Sequence, residues 1–166
     1  MPVTVVRSAF YLSNDDGSLA SARDDGVITS FLPGDGPLPW SHPRTSADWR
    51  QNRPLPKACV RELLLRPAEQ TGIRHVEGPA RYSPNDVARA FADALGRPVK
   101  VEIIPRKAWV PTFMRQGFSA EAARSYSGMT TISVDGGVEL PTSPTRGPTT
   151  LTAYAYAHDL VHAGPG

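Results

Sequence analysis

The chain has a single cysteine, Cys59, so no intrachain disulfide can form. That fits a reducing compartment, and a cytoplasmic setting is the expectation. No signature around Cys59 marks a nucleophile. Its neighbours Val60, Leu63 and Leu64 share its helical face, so it reads as a buried structural thiol. No run approaches the ~18 apolar residues of a membrane span. The N-terminus lacks the charged, then apolar, then small-residue order of a signal peptide. An excess of one charge is also missing: 18 Lys and Arg stand against 16 Asp and Glu, for a net charge of +2. Arg97, Lys100, Arg106 and Lys107 form the densest basic group, with acidic residues close by, and aromatics are only 8% of the chain. This argues against a nucleic-acid surface, which needs a basic stripe with interleaved aromatics. The Ser-His-Asp and nucleophile-elbow patterns are absent, and no catalytic residue is assigned.

Proline, by contrast, is plentiful at 17 residues in 166, roughly twice the usual ~5%. It predicts many loops and short elements in one domain, or part of one. The clearest run is Ser83 to Pro98. Ser83 caps a helix, Pro84 takes the first helical position, and Asp86 completes a capping box. Val87, Phe91 and Leu95 recur at helical spacing, Gly96 offers a left-handed stop, and Pro98 prevents continuation. Strands are read before it at Ile73–Glu77 and after it at Val99–Ile103. Pro2–Arg7 is a β-branched run that reads as a buried strand. Beginning so near residue one, it points to the later part of a longer fold. A helix over Gly17–Arg23 and a strand over Gly26–Phe31 follow, then a turn at Pro33–Pro37. Residues 41–56 have no period and read as irregular; a helix over Lys57–Arg66 ends at Pro67. A helix from Pro105 to Gln116 contains Pro111, which predicts a kink. Ser119 caps a helix to about Ile132, residues 141–149 read as loop, and a last helix covers Thr150–His162.

Three stretches resemble the NmrA-like family, an atypical branch of the short-chain dehydrogenase/reductases that includes NAD(P)H azoreductase-like proteins. They are Val5–Asn14, the Glu77-Gly78-Pro79-Ala80-Arg81-Tyr82-Ser83-Pro84-Asn85-Asp86-Val87 passage, and the pair Pro105–Trp109 with Gly137–Pro141. The middle passage is the most specific. The resemblance covers most of the chain and corresponds to the family's C-terminal half. It implies an α/β fold: a partial Rossmann-like sheet of late strands over residues 1–80, and an α-rich C-terminal substrate lobe over 81–166. It also implies NADP or NAD as cofactor, a small-molecule substrate and reduction chemistry. The family's Gly-rich phosphate loop has no counterpart here, since Gly34-Asp35-Gly36 and Gly136-Gly137 lack both the spacing and the following helix. Weak cofactor binding by this chain is therefore expected. Trp40 to Lys57 departs from the family pattern.

By resemblance, Phe10, Tyr11 and Asn14 border the nicotinamide; an Asn amide can orient a carboxamide or carbonyl. The alternative is a helix cap with core aromatics. Trp109, Phe113 and Met114 are candidates for an apolar substrate-pocket wall, weighed against plain core packing. His158 and His162 stand one helical turn apart, but Asp159 replaces the glutamate of the zinc-protease motif and only four residues follow, so no metal site is assigned. Tyr126 lacks the reductase lysine four residues on, where Thr130 stands. The second functional reading is a non-catalytic binding or regulatory module. An open edge along Thr4–Val6 predicts exposed apolar surface and self-association.

Overall fold

A computed structural model describes residues 3–8, 10–11, 16–36, 38–41, 71–137 and 140–162. Asn14, Cys59, the helix expected over Lys57–Arg66 and the irregular stretch past Ser41 lie outside the described residues. What is described is a mixed α/β structure. Its strands are β1 (Thr4–Ser8), β2 (Phe10–Tyr11), β3 (Val27–Ser30), β4 (Leu38–Ser41), β5 (Gly72–Glu77), β6 (Arg81–Tyr82), β7 (Lys100–Ile103) and β8 (Thr145–Arg146). Its helices are α1 (Asp16–Asp24), α2 (Pro84–Leu95), α3 (Trp109–Arg115), α4 (Ala120–Val134) and α5 (Leu151–His162), with a 3-10 turn at Arg106–Ala108.

The strands form three small sheets among the described residues. β1, β5 and β8 lie side by side in that order, all parallel. β3 pairs in parallel with β7. β4 sits between β2, to which it is parallel, and β6, to which it is antiparallel. Parallel pairing needs a long crossover between partners, and the helical segments α1 and α2 lie between β1 and β8 in the chain.

Helix α2 forms as its sequence dictates. Ser83 is in extended conformation; its Oγ accepts from the Asp86 N–H at 3.2 Å, and its own N–H donates to Asp86 Oδ2 at 2.9 Å. Gly96 closes the helix at φ 63°, a left-handed geometry that glycine adopts without a Cβ penalty. Val87, Ala88, Ala90 and Phe91 face inward and meet Leu19 and Ala22 of α1, Ile28 of β3, and Leu151, Tyr154 and Ala155 of α5. This core draws on residues from both sides of position 80. Tyr82 ties β6 to α5, its hydroxyl accepting from the Leu151 N–H at 3.3 Å. Gly26 precedes β3 at φ 69°, where an added Cβ would lie 3.1 Å from the Pro98 carbonyl oxygen. That close approach lets the Lys100 N–H reach the Gly26 carbonyl at 2.9 Å and sets the β3–β7 register.

The Ser83–Asp86 box has a measurable signature. Asp86 is held below the usual carboxylate range, first by the hydrogen bond from the Ser83 backbone, with help from the Ser83 hydroxyl and Arg89. A depressed folded-state value adds stability above the unfolded value, and that stability is lost as pH falls through the folded value. Ser83→Ala is expected to cost about 1 kcal/mol at neutral pH. Asp86→Asn should flatten the acid limb of the stability curve. Urea melts between neutral pH and pH 3 check both.

Several expectations are corrected. Of the two expectations for the β1 segment, the exposed apolar edge holds and the buried strand does not: among the described strands β1 comes first in its sheet, and Val3 and Val5 are 58% and 51% exposed. Its β-branched run is equally compatible with a half-covered edge. Ile73, the register partner of Val5, is 51% exposed too. Pro111 lies in the first turn of α3. Its missing N–H falls among the four that no helix pairs, so no helical hydrogen bond is lost. The expected loop over 141–149 contains β8. β4 and β6 carry no periodic signal at their lengths.

Candidate functional site

The carboxyl ends of β1, β5 and β8 point the same way because the strands are parallel. They end at Ser8, Glu77 and Arg146, and Glu77 and Arg146 are direct register partners. Glu77 is the notable residue there. Its side chain is 1% exposed, and carboxylates are almost never so buried unless paired. Two arginines supply the pairing. Arg81 donates from Nε to Oε2 and from Nη2 to Oε1, each at 3.4 Å, and Nη2 also reaches the Pro141 carbonyl at 3.1 Å. Arg146 places Nη1 3.5 Å from Glu77 Oε2 and donates it to the Gly78 and Pro79 carbonyls at 3.0 and 3.4 Å. The Gly147 N–H donates to the Glu77 carbonyl at 2.7 Å.

The local chain explains this arrangement. Gly78 and Pro79 end β5 and turn the chain into β6, which brings Arg81 back over the strand it has just left. The two-residue β8 places Arg146 beside Glu77 in the sheet register. Above the trio opens a cleft of about 500 Å³, with Pro79, Ala80, Leu140 and Pro141 as apolar wall and Arg81, Arg146 and Thr142 as its polar groups. Both arginine side chains reach solvent, at 29% and 43% exposure, while Glu77 does not. Among the described residues, two guanidiniums above one buried carboxylate leave one excess positive charge at the cleft.

Phe10 and Tyr11 form β2 and pair with Trp40 and Ser41 of β4; β4 in turn pairs Pro39 with Arg81. Phe10 and Tyr11, two of the three residues expected to border a nicotinamide, thus belong to the same small sheet as Arg81. Trp109, Phe113 and Met114 lie elsewhere, on α3. Trp109 is 2% exposed and donates its indole N–H to the Ile104 carbonyl at 2.7 Å. The Phe113 ring stacks on Phe31 with centroids 4.4 Å apart. Both belong to a second core with Ala123 of α4, whereas Met114 is half-exposed. None of the three lines the cleft over Glu77. Tyr126 packs its ring on Phe118 and Phe113, and its carbonyl accepts from the Thr130 hydroxyl at 2.8 Å. Arg106 lies over the Trp109 ring and ion-pairs with Asp135, which holds Asp135 below the usual carboxylate range. Among the described residues no three His, Cys, Asp or Glu side chains gather as metal ligands. The side chains of His158 and His162 lie outside the described ones.

Sequence reasoning missed the Glu77–Arg81–Arg146 trio. Glu77 and Arg81 were visible as parts of the Gly-Pro passage, but β5 carries Arg74 and His75 and has no apolar run to single out its terminal carboxylate. Arg146 sits in a Pro/Thr-rich stretch with no period to mark it. No helix among the described residues is long and apolar enough to cross a membrane. No protein-family model matches the chain, and no curated protein matches it.

Proposed function

We propose that this chain supplies the later strands and the substrate side of an NmrA-like, Rossmann-like nicotinamide-nucleotide fold of oxidoreductase lineage. The observation that carries this reading is the open cleft at the shared carboxyl ends of β5 and β8, with β1 parallel beside them. Ligands of parallel α/β sheets bind at that end. The Phe10–Tyr11 strand, with Asn14 following it, is assigned to the nicotinamide side, and the cleft to the substrate. A bound NADPH or NADH would supply the hydride; the chain's own residues orient and enclose the reactants.

The residues present do not fit the pyrophosphate of a dinucleotide. A pyrophosphate needs a glycine-rich run of backbone N–H groups at a helix N-terminus. This sequence has no G-x-G-x-x-G motif, and Pro79 and Pro141 in the cleft wall have no N–H to offer. The chain by itself is therefore expected to bind NADPH no more tightly than ~0.1 mM, about −5.5 kcal/mol. Calorimetric titration with NADPH checks this, and micromolar affinity would overturn it. The same absence favours a second reading, a non-catalytic module that holds a small molecule or a protein partner at this cleft. Self-association along the exposed edge of β1 belongs to either reading.

A further inference from the structure

We propose that the Arg81–Arg146 pair is a receptor for a single carboxylate, carried by a small ligand whose apolar body rests on the proline wall of the cleft. The inference stands on the geometry of the trio and goes beyond the nicotinamide reading, which assigns no ligand group to these arginines.

Three observations carry it. The first is charge. Glu77 can balance one guanidinium, and two face it, so one positive charge is left at the floor of an open cleft. Among the described residues no acidic side chain lines that cleft to cancel it. The second is donor capacity. Arg81 commits Nε and Nη2, and Arg146 commits Nη1. Nη1 of Arg81, and Nε and Nη2 of Arg146, have no partner among the described residues. The contacts to Glu77 span 3.4–3.5 Å, longer than the ~2.7–2.9 Å of a tight charge-assisted bond. Glu77 holds the two like charges side by side without saturating them. The third is the wall. Pro79, Pro141 and Leu140 present apolar surface and, at the prolines, no backbone N–H. Guanidinium donors match carboxylate and phosphate alike, but a multiply charged phosphate also seeks a nest of backbone N–H groups, which the prolines of this wall do not offer. One excess charge among the described residues, the uncommitted Nε and Nη2 of Arg146 beside Nη1 of Arg81, and an apolar wall favour a monocarboxylate.

The test is calorimetry on the full chain with benzoate, its neutral isostere benzamide, and inorganic phosphate. Benzoate is expected to bind, with benzamide and phosphate each at least about tenfold weaker. Arg146→Gln removes one charge-assisted hydrogen bond and should weaken benzoate by about tenfold or more. Glu77→Gln raises the excess charge from one to two and should tighten benzoate several-fold, a gain that a merely structural role for Glu77 would not produce. Equal binding of benzoate and benzamide overturns the proposal, as does an Arg146→Gln chain that binds benzoate unchanged. Phosphate binding more tightly than benzoate overturns the choice of carboxylate. If Glu77→Gln does not fold, the ligand series and Arg146→Gln decide the matter. Failure of NADPH to bind leaves these outcomes untouched, so the two readings fail separately.

Discussion

Phe91→Ala is expected to remove about 3–5 kcal/mol of stability, much of the ~5–15 kcal/mol that holds a typical domain together. Phe91 is 1% exposed at the centre of α2, in the cluster that joins α1, β3 and α5. No other described residue of comparable size is so buried and purely apolar; Glu77 is the other large side chain below 2% exposure. Truncation there opens a cavity between three helices and a strand, and the small residues around it (Ala22, Ala88, Ala155) cannot swing in to fill it. Phe91→Leu keeps most of the volume and should cost about 1.5 kcal/mol or less. Thermal unfolding followed by circular dichroism reads the difference. An Ala variant melting within a few degrees of the parent would mean that α2 is not the organiser of this core.

The second large effect concerns the buried charge. Replacing both Arg81 and Arg146 with methionine strands the Glu77 carboxylate in the interior, at an expected cost of about 3–5 kcal/mol. Each single replacement should cost less, because the remaining guanidinium still faces the carboxylate. The effects should therefore be non-additive, with the double variant worse than the sum of the singles. Adding Glu77→Gln to the double variant should restore most of the loss, since a buried neutral amide is far cheaper than a buried unpaired charge. Urea unfolding is the measurement: at a slope of about 2 kcal/mol/M, the double variant should shift the midpoint by about 2 M. A double variant as stable as its parent would mean that Glu77 does not depend on the arginines.

Local structure was legible where local chemistry decides it. The α2 helix could be placed from Ser83, Asp86, Phe91 and Gly96, because capping and periodicity act within one turn of the chain. Ser119 likewise announced α4, and its Oγ accepts from the Ala122 N–H at 3.2 Å. What was not legible depends on partners far along the chain. β6 and β8 are two residues each and exist only because β4 and β5 lie beside them. The open edge along Thr4–Val6 was expected, but the pairing of β1 with β5 is a property of strand order, which a run of β-branched residues does not encode. Trp109 and Phe113 showed helical spacing, but only packing against Phe31 and Ala123 reveals which surface they meet. The Glu77 trio is the extreme case: its third member comes from a loop-like stretch, and only the β5–β8 register brings it beside the carboxylate.

The ligand-binding face proposed for this chain is the carboxyl end of the parallel strands, with β2 at its side. Backbone-amide NMR of the full chain, titrated separately with NADPH and with benzoate into the millimolar range, is the measurement. NADPH is expected to give weak, saturable shifts at Tyr11, and benzoate at Glu77–Tyr82 and Arg146–Gly147, with α3 and α4 unmoved by either. Shifts centred on α3 and α4, or no saturable benzoate shifts around Glu77, would contradict that placement.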